Sequence, residues 1–126
     1  MIIIVAADKL FARYDVLEAK LDSLIGVPKK RYKLAVGTYK ALDDMLKNYA
    51  KSKKINTISV GNKERDLYQK YRKICKQCVC LDDECVFIIF SNGRDQQVED
   101  VKSIGINNGI AVHIVNYNSF RVQVEV

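Results

Sequence analysis

The stretch Val36 to Asp43, V-G-T-Y-K-A-L-D, has the composition of a phosphate-handling turn between a short strand and a helix. Gly37 closes an apolar run and lets backbone amides approach a ligand, and a helix beginning near Thr38 aims its first N–H groups at the same place. Lys40 supplies charge, and Tyr39 offers a face on which a base would stack. Two further polar groups follow apolar runs: Asp8-Lys9 after Ile2 to Ala6, and Ser91-Asn92-Gly93-Arg94 after Val86 to Phe90. Each also has an ordinary structural reading. Asn92-Gly93 is a common turn, Thr38 a helix cap, and lone lysines face solvent. Their joint placement is what points to a polar, nucleotide-sized site.

Four cysteines, Cys75, Cys78, Cys80 and Cys85, fall in one segment. Thiolates at such density hold zinc in closed tetrahedral sites. The usual pair of C-x2-C knuckles is missing, however, and the segment runs from a helix end into a strand, so free buried thiols are expected and no metal is assigned. His113 is the sole histidine and lies among Ile110, Val112, Ile114 and Val115, where packing is expected. With no second histidine and no G-x-S-x-G, a Ser–His or Cys–His hydrolase has little support.

The 126 residues suit one domain, 1–126, and 48% hydrophobic with 29% charged residues argues against disorder. No apolar run approaches the roughly 18 residues that span a bilayer. The opening M-I-I-I-V-A-A-D lacks a basic region and meets Asp8 too early for a signal peptide, so a cytoplasmic protein without membrane contact is expected. A net charge of +6 permits a polyanionic partner. The basic residues fall mostly on predicted helices, where solvated lysines are ordinary, and nucleic acid is therefore the less favoured partner.

These residues must be positioned by an alternating chain of elements. Ile2 to Ala6 is an unbroken β-branched run, as in a central parallel strand covered on both faces. Tyr14, Leu17, Leu21, Leu24 and Ile25 follow at helical spacing, ended by Gly26 and Pro28. Strand two is read at Tyr32 to Val36, a helix with Leu42, Met45, Leu46 and Tyr49 inward, and strand three at Ile55 to Val60. A helix from Glu64 to about Cys78, a strand Val86 to Phe90, a helix Gln97 to Ile104 and a strand Ile110 to Val115 complete the series. Strict alternation predicts an α/β fold with a mainly parallel five-stranded sheet. The alternating tail from Phe120 either adds an edge strand or pairs with a second subunit as a homo-oligomer.

The order Phe11-Ala12-Arg13-Tyr14, the glycine-led turn ending in Asp43, and Ala50 spaced after it resemble the SLOG superfamily (the Smf, DprA and LOG group), especially its small YspA-like members. Those proteins carry a G-S-R turn after strand one, followed by Phe and Tyr. Here Ala7, Asp8 and Lys9 stand in the three turn positions, while Phe11 and Tyr14 match. The second family turn is G-G-x-R-G-x-D. Gly37 and Asp43 match it, and Thr38, Lys40 and Ala41 replace glycine, arginine and glycine. The resemblance covers most of the chain, with worn motifs, and implies a Rossmann-like three-layer domain for nucleotides or nucleotide-derived signals. Its LOG branch contains phosphoribohydrolases with P-G-G-x-G-T followed by glutamate. Only Glu99 answers that glutamate, the glycines are absent, and Asp8 stands where a phosphate would sit, repelling it unless Lys9 or a metal compensates.

These readings favour non-catalytic binding, sensing or sequestration of a nucleotide-derived small molecule, with no cofactor. Asp8, Lys9, Gly37, Thr38, Tyr39, Lys40, Asp43, Ser91, Asn92, Gly93 and Arg94 form the ligand-binding set, and Lys9, Lys40 and Arg94 are expected to converge on one cleft. If they point apart, an interaction protein becomes the better reading, acting on a protein or nucleic acid as a viral or mobile-element accessory would. The other alternative is a phosphoribohydrolase-like enzyme cleaving an N-glycosidic bond with Glu99.

Overall fold

Ile2–Ala7 (β1) contains six apolar residues, all buried. A strand satisfies that only when it has neighbours on both edges and layers on both faces. The computed structural model supplies both, and it describes residues 1–26, 32–61, 63–81, 84–94, 97–118 and, as backbone alone, 121–125. The expectations resting on Pro28 and Phe120 lie outside those residues. β1 pairs in parallel with β2 (Lys33–Val36) on one edge and with β4 (Cys85–Ser91) on the other. β3 (Asn56–Ser59) adds in parallel beyond β2, and β5 (Ala111–Asn116) beyond β4. The order is β3-β2-β1-β4-β5, closed by the antiparallel β6 (Arg121–Glu125) beside β5. The alternating tail thus joins this chain's own sheet.

Helices cover both faces, as in a Rossmann-like three-layer fold. Helices α1 (Tyr14–Ile25) and α2 (Lys40–Lys53) bury Leu17, Leu21, Leu42 and Leu46 against Ile3, Val5, Ile88 and Phe90. On the opposite face α3 (Leu67–Val79) and α4 (Val98–Asn107) bury Tyr71, Ile74, Val101 and Ile104 against Ile2, Ile4, Phe87 and Ile89. Alternate residues of β1 and β4 therefore feed two cores, which explains why neither strand alternates in polarity.

Local chemistry sets the helix ends. Asp66 accepts a hydrogen bond from the Tyr68 N–H and caps α3, so the helix starts at Leu67 and residues 64–66 stay in the preceding loop. α4 runs past Ile104 to Asn107 and ends in a Schellman turn. There Gly109 adopts φ 70°, its N–H bonds the Ile106 carbonyl, and the Ile110 N–H bonds that of Gly105. α2 begins at Lys40 with Tyr39 extended before it, two residues later than the sequence suggests.

Candidate ligand-binding cleft

Strand order reverses between β1 and β4, the position where open α/β sheets leave a crevice beyond the carboxyl ends of their strands. A cavity of about 490 Å³ lies there. Its floor is apolar, from Ala6, Ile89, Tyr71 and Val101, and its rim carries Lys9, Leu10, Arg65, Asp66, Asn92 and Gln97. The starts of α3 and α4 form the walls, so the cleft belongs to the α3–α4 side of the sheet.

The turn after β1 is braced by tyrosines from three distant places. In the β1–β2 register Ile3 lies opposite Leu34, so β2 ends opposite Val5 and Ala7 extends past it. The Tyr71 hydroxyl fills that gap, donating to the Ala7 carbonyl at 2.9 Å and accepting from the Ala7 N–H at 3.1 Å. Tyr39 donates to the Asp8 carbonyl at 2.8 Å. Tyr117 donates to Asp8 Oδ2 at 2.6 Å, and the Leu10 N–H reaches Asp8 Oδ1 at 2.9 Å. Phe11 then packs back between Phe90 and Tyr117, with ring centroids 4.8 and 5.0 Å away. Burial raises the pKa of Tyr39 and Tyr71 well above the ordinary phenol value, the Asp8 carboxylate adding to the effect at Tyr39. Both phenols stay protonated at neutral pH and act as donors.

The residues expected to bind together are divided. Asp8, Lys9 and Asn92 line the cleft; Gly37, Thr38, Tyr39, Lys40, Asp43, Ser91, Gly93 and Arg94 do not. In the turn after β2, Asp43 Oδ1 accepts from the Gly37 N–H at 3.1 Å and the Thr38 N–H at 3.3 Å, which pins the chain as it enters α2. Gly37 has φ 137°, and any side chain there would collide with the Val60 carbonyl oxygen. Lys40 reaches Asp44 at 3.2 Å along the exposed surface of α2. After β4, Asn92 Oδ1 accepts from the Arg94 N–H at 2.7 Å and Ser91 Oγ from the Gly93 N–H at 3.1 Å. Lys9, Lys40 and Arg94 therefore do not converge on this cleft, and the cation that joins Lys9 is Arg65.

Sequence reasoning passes over Arg65 because it starts the third helix at Glu64. The Asp66 cap, a helix-start residue type in front of Leu67, is the signal that returns Arg65 to the loop. It also passes over Leu10, which is 86% exposed at the cleft mouth. Glu99 lies in the exposed first turn of α4, 3.3 Å from Lys102 and outside the cleft lining. His113 is half-buried, with Nδ1 2.9 Å from Lys20 Nζ. Burial and then that neighbour lower its pKa, and burial lowers that of Lys20.

Cys75 and Cys78 are buried at the end of α3 and Cys80 is exposed, all as free thiols. Among the described residues no group of three or more His, Cys, Asp or Glu side chains is placed to hold a metal ion. No helix of the described residues is long and apolar enough to cross a membrane. Against protein-family models, curated proteins and solved structures, the chain finds no match.

Proposed function

We propose that this chain is a non-catalytic binding domain for a nucleotide-derived anion held in the cleft beyond β1 and β4. The observation that carries the reading is a difference in engagement between the two carboxylates and the two cations among the described lining residues. Both carboxylates are engaged within the protein, Asp8 by Tyr117 and Leu10 and Asp66 by Tyr68, whereas Lys9 and Arg65 have no described partner. An anion entering the cleft meets two cations without described partners, while Asp8 is engaged at both oxygens and Asp66 at one. The repulsion expected from Asp8 is weakened because both of its oxygens already accept hydrogen bonds. The apolar floor suits a base and sugar, and the volume falls in the usual range for small-molecule sites, about 300–1,000 Å³.

The same lining argues against hydrolysis. Glu99 lies outside it, and the Tyr71 phenol is held protonated. The three-cation convergence expected from sequence is not found, which counts against the binding site expected there and towards the interaction-protein reading; the binding proposed here is a separate one that stands on Lys9 and Arg65.

Thermal melting with nucleoside mono-, di- and triphosphates and cyclic dinucleotides tests the proposal. A ligand at a hundred times its Kd adds about 2.7 kcal/mol, a shift of roughly 10 °C for a domain of this size. Lys9→Ala and Arg65→Ala each remove most of that shift, while Lys40→Ala and Arg94→Ala leave it unchanged. No shift with any member of the panel overturns the reading.

A further inference from the structure

We propose that the bound anion is a stretch of single-stranded nucleic acid, and that the groove between α3 and α4 leads it away from the cleft. The inference rests on the cleft reading for its first nucleotide and adds a path for those that follow.

Arg65, Tyr68, Arg72 and Lys76 recur at intervals of three, four and four residues, which aligns them along one flank of α3 and the turn before it. Tyr68 is a wall of the cleft and also of a second cavity of about 260 Å³ farther along the groove. The second cavity is bounded by Arg72 and Lys76 from α3, by Ile104 and Asn107 from the far half of α4 and by Asn108 just past its end. Among the described residues no carboxylate lines it and neither cation has a partner. The two cavities thus carry four cations without described partners, Lys9 and Arg65 beside Asp8 and Asp66 in the first and Arg72 and Lys76 in the second, with Tyr68 shared between them.

That pattern selects the occupant. Arg72 and Lys76 are separated by about 6 Å along the helix, a spacing suited to successive phosphates of an extended strand. A half-buried tyrosine between cations offers a stacking face to any base, the arrangement by which single strands are held with little sequence preference. An acidic peptide would use the cations equally well but has no group that needs Tyr68. Asn107 adds a neutral amide on the opposite wall, while the Asn108 Nδ2 donates to the Ile104 carbonyl at 2.8 Å.

Fluorescence anisotropy with a labelled thymidine octanucleotide, and competition by thymidine monophosphate, decide the matter across 50 to 200 mM salt, the interval over which phosphate binding is most visible. The octamer is expected to bind at least roughly ten-fold tighter than the mononucleotide. The surface double variant Arg72→Ala with Lys76→Ala weakens octamer binding roughly ten-fold and reduces its salt slope by about 1.4, or about 0.7 for each phosphate no longer neutralised. It leaves mononucleotide binding unchanged. Tyr68→Leu, with folding checked by circular dichroism, weakens the octamer roughly ten-fold while preserving the salt slope. An octamer no tighter than the mononucleotide, or one indifferent to the double variant, overturns this inference alone. So does a glutamate octapeptide that binds as tightly as the octanucleotide. Absence of binding by both octamer and nucleotides overturns the cleft reading as well.

Discussion

Asp8 illustrates how a side chain's partners decide its chemistry. By residue type it is an anion in the lining of the proposed anion site. With Tyr117 on one oxygen and the Leu10 N–H on the other, it serves as the fastener of the β1 turn. Removing either end should expose the coupling. Asp8→Ala and Tyr117→Phe are each expected to lower stability, and the double-mutant cycle should return a coupling of about 1–2 kcal/mol in urea titrations. A coupling near zero would mean that the turn holds without this bond. None of this was legible locally. The identities of Asp8 and Lys9 and their place after the first strand were readable, whereas Tyr117 is 109 residues away and belongs to no motif shared with them. Gly37 was readable as a position needing glycine, but the reason is the approach of the carbonyl of Val60, the residue after β3, not a ligand.

Elements were far more legible than the site. The unbroken apolar runs of β1 and β4 and the helical spacing of Leu17, Leu21, Leu42, Leu46 and Ile74 each correspond to an observed element, because burial of a strand on two faces leaves a pattern that needs no distant information. Errors concentrated at helix starts, where one cap outweighs propensity. The three-residue shift caused by Asp66 is the difference between Arg65 as a helix-surface residue and Arg65 as a cleft residue. Close packing on the sheet also depends on positions that look unremarkable in sequence. A Cβ on Gly105 of α4 would lie 2.5 Å from Val112 Cγ2 and 2.9 Å from Phe87 Cδ2. Gly105→Ala would gain about 1 kcal/mol in helix propensity, and overpacking costs about 1–3 kcal/mol. Net destabilisation, of about 1 kcal/mol, is the expected outcome of chemical denaturation. A variant more stable than the parent would show that α4 can lift from the sheet without loss.

For the whole molecule, buried titratable groups set opposite limits on the pH range of stability. Burial pushes Cys78 up to about 11 and raises Cys75, Tyr39, Tyr49 and Tyr71 as well, with hydrogen-bonded Asp22 contributing at Tyr49. These acids keep their protons in the fold when the unfolded chain has begun to lose them. Their contribution is complete below the free-thiol value of about 8.5 and declines as pH rises beyond it. His113 works from the other side. Its lowered pKa means that the unfolded chain takes up a proton first, so stability declines as pH falls below about 6.5. Lys20, lowered by burial, opposes the alkaline loss but is a single group against five. Urea midpoints at pH 5, 7.5 and 10 should therefore be highest at the middle value, with the alkaline fall reduced by Cys78→Ala. A flat profile would contradict this assignment of buried neutral groups.

The hydrogen bond from Tyr117 to Asp8 also has a meaning in time. It joins the exit of the first strand to the exit of the fifth, so the 109 residues that separate the two partners must be made before the first turn can be fastened. A nascent chain that has completed β1 to β4 possesses the strand ends that frame the cleft but lacks the residue that ties down Asp8. The cleft's first turn would then be fastened only after β5 is made and long-range loop closure is complete, which is the slow step in folds of this connectivity.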